Sequence, residues 1–348
     1  MIGFKDVSML SWNIWGALNK NAQRHLMEII RRYSLTFLII METHGAFEKT
    51  ISFWNKAGYS KIAIVEARGQ AGGLWILQQT CSNVITKVED SFHDTITIIT
   101  IKVAVGNDSW FLTGMYASPI YTKRLELWQH LTSLNANFDG PWMIIGDFNE
   151  ITLPSDQKGG NFSQNRADAL LKVMDECHFV DVVTTGNKFT WARNCAGQRR
   201  ISKRLDRAIA NLPWQLAFPD AYIEVLCRFH SDHHPLLLKC GKVSTRRGPR
   251  PFRFEAAWIT HPEYQNVVQT AWNKQTPCPI AGLNQVQTDS LDFNSQVFGN
   301  IRHQKHILEK RIKGIQLSLE RVDSARLVYL EHDLQLQYDR ILSQEEIL

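Results

Sequence analysis

No Cys-x-x-Cys pair occurs in this 348-residue chain, and its six cysteines (Cys81, Cys177, Cys195, Cys227, Cys240 and Cys278) lie far apart. That spacing excludes a zinc ribbon and a dense disulfide framework. Long hydrophobic runs are missing too. The most apolar stretches, such as Phe37 to Met41, are only strand length, and no secretory h-region follows Met1. A membrane span is therefore not expected, and the thiols read as reduced, mostly buried groups of an intracellular protein. A strong charge bias is also lacking: the formal charge of +5 is compatible with a nucleic-acid partner and does not argue for one. Internal repeats and low-complexity tracts are absent from the sequence. What is there is core material. A hydrophobic content of 44% with 11 Trp rules out wholesale disorder, and the length allows one large domain plus an appendage, or two domains.

The first two thirds alternates short apolar runs with amphipathic stretches. Strands are predicted at Ser8–Trp12, Leu35–Met41, Lys61–Glu66, Gly72–Leu77, Thr95–Val103, Trp110–Tyr116, Trp142–Gly146 and Pro235–Cys240. The nearly continuous apolar run to Met41 implies burial on both faces. Helices are predicted over Lys20–Tyr33, over Lys123–Leu134 with Thr122 as N-cap, and over Asn165–Cys177. A basic, breaker-rich stretch from Lys242 to Pro251 reads as a linker. This divides the chain into a catalytic domain at 1–241, a basic linker at 242–256 and a helical spacer at 257–348. In the spacer, Leu308, Ile312, Ile315, Leu319 and Val322 form a coiled-coil-like stripe, with a second helix through Leu327, Leu330, Leu334 and Ile341. A hairpin packing on itself is favoured there over a partner clamp.

Chemistry-bearing residues gather at strand ends. Ser231-Asp232-His233-His234-Pro235 precedes the apolar Leu236-Leu237-Leu238, and Asn13 and Glu42 each end a predicted strand. Gly146-Asp147-Phe148-Asn149-Glu150 ends another, with Asp147 and Asn149 bracketing one side. Hydrolysis of a phosphodiester needs neutralised phosphoryl charge, an activated water and help for the leaving alkoxide. Glu42 and Asn13 suit a hard cation that prefers oxygen, and Asp147 can activate water while Asn149 orients it. Asp206 can hold the His233 imidazole in its charged form, although Arg204 and Arg207 offer it an ordinary ion pair instead. Tyr116 and Thr190 are candidates for phosphate contact, and Trp191 reads as packing. His234 is set aside because it should point the opposite way.

In order, Asn13, Glu42, Tyr116, Asp147, Asn149, Thr190, Asp206, Ser231, Asp232 and His233 resemble the motif set of the endonuclease/exonuclease/phosphatase superfamily. Pro141-Trp142, Phe189-Thr190-Trp191 and the Ser231–Leu238 phrase look most like the endonuclease domain of plant LINE-type (non-LTR) retrotransposons, relatives of the apurinic endonucleases. The resemblance runs from about Val7 to Cys240. It implies an α/β (α+β) fold: a four-layer sandwich of two mixed β-sheets flanked by helices, here followed by a C-terminal helical extension. It also implies nicking of DNA with Mg²⁺ or Mn²⁺ to leave a 3′-hydroxyl that primes reverse transcription, in the nucleus if chromosomal DNA is the target. By resemblance Glu42, Asn13 and Asp232 belong to the metal site, and Asp147, Asn149, Asp206, His233 and Tyr116 to catalysis. Thr190 and Ser231 would contact substrate. Trp15 stands where apurinic endonucleases carry an Asp, which weakens a repair reading more than it weakens catalysis. Beyond Pro251 the chain resembles the spacer ahead of a reverse transcriptase, and no polymerase motif follows, as expected of a fragment or truncated element. A superfamily phosphatase or ribonuclease, and a non-catalytic nucleic-acid-binding relic, are the alternative readings.

Overall fold

In the computed structural model, residues 7–69, 72–92, 97–193, 200–241, 252, 254, 258–259, 261–274 and 278–347 are described. The chain divides into two units, Met1–Val243 and Ser244–Leu348. The strands of the first are β1 (Ser8–Asn13), β2 (Phe37–Met41), β3 (Tyr59–Val65), β4 (Leu74–Gln79), β5 (Ile85–Phe92), β6 (Thr97–Val105), β7 (Asp108–Tyr116) and β8 (Trp142–Asp147). They continue with β9 (Gln157–Lys158), β10 (Phe179–Asp181), β11 (Thr184–Thr185), β12 (Trp191–Arg193), β13 (Ile201–Lys203), β14 (Asp206–Asn211), β15 (Tyr222–Val225) and β16 (Leu236–Lys239). One sheet has the order β11-β15-β16-β1-β2-β4-β3 and the other β10-β14-β8-β7-β6-β5. Each mixes parallel and antiparallel pairs.

Strand alternation explains the layers. In β2, Phe37, Ile39 and Met41 enter the core between the sheets, while Leu38 and Ile40 pack with Leu26, Ile29 and Ile30 of helix α1 (Lys20–Tyr33). Helix α2 (Ile51–Ala57) adds Trp54 to that outer layer. In β8, Met143 and Ile145 join the central core, whereas Trp142 and Ile144 meet helices α3 (Tyr121–Asn135) and α4 (Gln164–Glu176). Because both faces of β2 and β8 are covered, neither strand tolerates a polar position until its end. The result is the expected α/β sandwich of two sheets flanked by helices.

Several expectations need adjustment. The boundaries of the helix predicted at Lys123–Leu134 shift little, but Thr122 does not cap α3: Ile120 holds that position, with no side-chain hydrogen bond. Real capping occurs on α1, where Asn19 accepts from the amides of Asn21 and Ala22. Strand β5 and the three-stranded sheet β12-β13-β9 were not anticipated. The apolar Phe189 ahead of Thr190-Trp191 also reads as a strand in the sequence; strand β12 instead starts at Trp191, and Phe189 lies before it. Strand β5, with Lys87, Glu89 and Asp90 among its residues, carries no buried periodicity to read. A fifth helix, α5 (Leu212–Ala217), follows β14 and buries Trp214.

The second unit holds α6 (Tyr264–Asn273), α7 (Pro279–Phe293), a π-turn at Asn294–Phe298, α8 (Gly299–Arg321) and α9 (Ala325–Ile347). Trp258, Tyr264 and Phe293 form its small aromatic core. Helices α8 and α9 pack together, with Gln316 Nε2 donating to Glu331 Oε1 at 3.0 Å in a buried contact. Leu308, Ile312, Ile315 and Leu319 are buried as the stripe predicts, but Val322 is exposed. On α9 the buried positions are Glu331, Leu334, Tyr338 and Leu342, while Leu330 is exposed. Most of the basic linker, 242–251, lies outside the described residues.

One close approach fixes the strand that matters most. A Cβ on Gly146 would stand 1.9 Å from the Met115 carbonyl oxygen of the neighbouring strand. Gly146→Ala is expected to lower unfolding free energy by about 1–3 kcal/mol or more, the usual scale of overpacking. Denaturant titration checks this, and an unchanged midpoint would mean that β7 and β8 are not so closely apposed.

Candidate active site at the sheet edge

Register decides which side chains meet. Asn13 lies across from Met41 in the parallel β1–β2 pair, so Asn13 and Glu42 leave adjacent strands at their carboxyl ends. Tyr116 lies across from Asp147 in the parallel β7–β8 pair, and Asp147 across from Asp206 in the antiparallel β8–β14 pair. Strand β16 runs back along β1, with Leu236 opposite Ser11, which returns His233 to the neighbourhood of Asn13. Carboxyl ends of parallel strands from both sheets thus converge on one edge, the usual place for a site in such sheets.

The hydrogen bonds knit these ends together. Asn13 Nδ2 donates to Asp147 Oδ2 at 3.0 Å, bridging one sheet to the other, and lies 3.4 Å from His233 Nε2. The Asn149 amide N–H donates to Asp147 Oδ1 at 2.9 Å, and its side-chain Nδ2 reaches Asp147 Oδ2 at 3.2 Å and the Ala117 carbonyl at 2.8 Å. His233 Nδ1 bonds Asp206 Oδ2 at 2.9 Å, while its Nε2 stands 3.8 Å from Asp147 Oδ2 and 3.9 Å from Asp232 Oδ1. Neither flanking arginine takes Asp206. Arg204 bonds Asp181, and Arg207 bonds Asp181 and Asp156, so the Asp206 carboxylate is left for the imidazole. Tyr116 Oη donates to Glu42 Oε1 in a short contact, and His44 Nε2 lies 3.5 Å from the other Glu42 oxygen.

Thr190 and Ser231 spend their hydroxyls within the protein. Thr190 Oγ1 accepts the amides of Leu205 and Asp206 at 3.1 and 2.9 Å, which fixes the start of β14. Ser231 Oγ donates to the Asn13 carbonyl at 2.7 Å and accepts from the His233 amide at 3.0 Å. His234 turns away, its Nδ1 on the Leu226 carbonyl at 2.8 Å. Two indoles support the site: Trp191, which the sequence reads as packing, and Trp12, whose role the sequence does not signal. Trp191 Nε1 donates to Asp232 Oδ2 at 2.7 Å, and Trp12 Nε1 to the His233 carbonyl at 3.2 Å. Nothing in local spacing signals either bond, because both partners are distant in the chain. Strained backbone also collects here: Trp15, Glu42, His44 and Asn149 have φ of +48, +48, +51 and +46°. Non-glycine residues adopt that region rarely, and its recurrence at one edge marks a built site.

Electrostatics sort the groups. Burial pushes Asp147 up to about 7, with Asp206 adding to the rise while His233 and the donors Asn149 and Asn13 oppose it. Burial works against charge on His233, yet Asp206 and Asp147, with Asp232, prevail and hold it up at about 10. Burial first, then Glu42, keeps the Tyr116 phenol far above its usual range, so it stays a neutral donor. Asp147, Asp206 and His233 offer ligand atoms within 4.8 Å of one another, close enough to share a metal ion. His233 Nδ1 is already engaged by Asp206, which suits a carboxylate–imidazole pair more than a ligand set. A hard cation is better matched by oxygen, and the edge supplies Glu42, Asp232 and the Asn13 amide around two acidic side chains, Asp147 and Asp206, that are themselves buried.

Comparison with known proteins agrees with this architecture. The model of the Endonuclease/Exonuclease/phosphatase family matches residues 10–233. Among solved structures, the endonuclease domain of TRAS1, a telomere-specific non-LTR retrotransposon, aligns with a TM-score of 0.50 at 14% identity, covering 67% of this chain and 98% of that one. An AP endonuclease from Archaeoglobus fulgidus aligns with a TM-score of 0.52 at 16% identity, again over 67% of this chain and 98% of its own. At such identities the likeness concerns the fold. No curated protein matches by sequence.

The imidazole yields a direct check. Its pKa in the fold lies above the ordinary 6.5, so its stabilising contribution is complete below about 6.5 and fades as pH rises through about 10. In metal-free protein at pH 8, ¹⁵N NMR should find both His233 ring nitrogens protonated. One bare nitrogen at that pH would contradict the assignment.

Proposed function

The chain belongs to the endonuclease/exonuclease/phosphatase family, and from that premise we propose that it is a divalent-metal-dependent phosphodiester hydrolase. More specifically, we infer a DNA-nicking endonuclease of non-LTR retrotransposon type that leaves a 3′-hydroxyl. The observation that carries the reading is the joined set Asn13–Asp147–Asn149 and Asp206–His233 at one edge of both sheets.

Each residue then has a task. Glu42, Asn13 and Asp232 would hold Mg²⁺ or Mn²⁺, which when bound supplies a Lewis acid for the phosphoryl oxygens. Asp147, poised near neutral pH, takes a proton from the attacking water, and Asn149 fixes the carboxylate that does so. The charged His233, oriented by Asp206, donates toward a non-bridging phosphoryl oxygen as charge builds there. Tyr116 keeps Glu42 in place and presents a neutral hydroxyl beside the phosphate. Water oxygen bonds to phosphorus while its proton passes to Asp147, the bond to the 3′ oxygen breaks, and the leaving 3′ oxygen takes a proton from solvent to become the hydroxyl. Thr190 and Ser231 serve this centre through the backbone of Asp206, Asn13 and His233, a positioning task in place of the substrate contact expected of them. In a full-length element a reverse transcriptase would use the 3′ end, and the work would take place in the nucleus. We further propose 1–241 as the catalytic domain, with the helices after the basic linker as a spacer.

Nicking of supercoiled plasmid should require added Mg²⁺ or Mn²⁺ and stop with excess EDTA, and release of inorganic phosphate from a phosphomonoester should be far slower. Activity surviving exhaustive chelation would sink the metal assignment, and dominant phosphate release would move the reading to a phosphatase.

Asp147→Asn and His233→Ala should each lower the nicking rate about 10²-fold or more, the scale for a lost acid–base group. His234→Ala should be milder at the chemical step, since its imidazole bonds a carbonyl away from the centre. Near-parental rates for both site variants would show the roles to be misplaced.

A chain ending at residue 241 should fold and keep metal-dependent nicking in low salt, because every residue of the centre precedes that point. An insoluble or inactive product would show that the domain boundary is wrong.

A further inference from the structure

Beside the Asp147 strand end lies a second cluster of charge. Glu150 follows Asn149 and is buried, and its Oε2 accepts from Arg124 Nη2 at 2.9 Å and from Arg166 Nε at 3.0 Å. Arg124 is fully buried and also donates through Nη1 to the Ser118 carbonyl at 2.7 Å. Both guanidinium groups lie 5.6 Å from the centre of the Tyr121 ring. Lys203, at the end of β13, is electrostatically linked to the same cluster: burial and then Arg166 lower its amine's pKa, Glu150 partly offsets them, and Arg124 adds to the lowering. Two guanidinium groups therefore share one carboxylate, and the charge of a third cation, Lys203, bears on the same groups.

That arrangement is electrostatically incomplete by itself. Arg166 stands in the first turn of α4, where the helix dipole disfavours a cation, and Ser163 at the N-cap makes no side-chain hydrogen bond to the free amides. Its guanidinium is held in a fixed plane by Glu150 and Tyr121, yet its side chain keeps 39% exposure. Among the described residues its hydrogen bonding is through Nε alone, which leaves the outer Nη edge for a ligand. An oriented guanidinium edge is a geometry that recognises a tetrahedral anion, and a cation whose charge bears on the same groups strengthens it. The cluster is tied to the centre as well: Arg124 senses the charge of Asp147, and Lys203 pairs in strand register with Trp191, which holds Asp232.

We propose that Arg166 and Lys203, seated on the Glu150–Arg124–Tyr121 platform, form a subsite for a backbone phosphate flanking the scissile one. This rests on the nucleic-acid reading above and adds a second anchoring point to it. The phosphate would replace the missing counter-charge and set the register of the strand across Asp147.

The test is the salt dependence of duplex binding by the full chain in EDTA, so that cleavage cannot intervene. Arg166→Gln and Lys203→Gln should each flatten the log–log slope of affinity against salt by about 0.9, the contribution of one phosphate contact on B-DNA. Arg166→Lys should keep the slope, because the charge is retained. Lys172→Gln is the control: its side chain is 75% exposed and near Glu176, and the parental slope should persist. Lys203 makes no side-chain hydrogen bond to the Glu150 platform, so its variant carries the test even if Arg166→Gln folds poorly. Parental slopes for both glutamine variants, or no duplex binding by the parent, would overturn the subsite. Plasmid nicking by the parent is scored separately. A parent that nicks while the slopes stay equal sinks the subsite alone, and a parent that never nicks while the slopes flatten sinks the hydrolase reading alone.

Discussion

The carboxylate of Asp147 is buried where the two sheets come together, and the rest of the site is arranged around the cost of keeping it there. A buried carboxylate is tolerated only when dipoles or charges replace its water. Here Asn13 arrives from the other sheet, Asn149 folds back in a left-handed turn to give both its backbone and side-chain N–H groups, and His233 supplies positive charge. Burial still wins enough to hold the group near 7, which is where a proton acceptor in neutral solution is most useful. The bridge from Asn13 has a structural consequence too: the relative placement of two sheets becomes part of the chemistry.

A second buried carboxylate, Asp206, solves the same problem by pairing with the imidazole. Two arginines flank it that a surface reading would give it, but alternation along β14 sends Arg207 to Asp156 and Asp181, and Arg204, just ahead of the strand, reaches Asp181 as well. The charges sort into separate networks within a few residues of chain. Glu150 repeats the pattern one step further on, absorbing Arg124 and Arg166 so that neither neutralises Asp147 directly. The neighbourhood thus holds acid and base in adjacent compartments.

Much of this was legible in the sequence, for physical reasons that differ by element. Runs such as Phe37–Met41 and Trp142–Ile145 announced strands covered on both faces, and the polar residues that ended them marked the edge where a site would lie. The Lys20–Tyr33 helix showed its buried stripe plainly. Strand β5 and the small β9-β12-β13 sheet were invisible, because a strand of charged, largely exposed residues and strands of two or three residues depend on neighbours and not on periodicity. Roles were harder than positions. The residues type the chemistry, but whether Thr190 offers its hydroxyl to a ligand or to the Asp206 amide is a matter of tertiary geometry. The same holds for Trp191, whose indole reaches Asp232 from 41 residues away.

The central claim concerns which bond is broken, and the end group reports it. Plasmid nicked by the protein with Mg²⁺ should be extended by a DNA polymerase without prior treatment, because cleavage as described leaves a 3′-hydroxyl. A nick that accepts nucleotides only after a phosphatase has removed a 3′-phosphate would contradict the account.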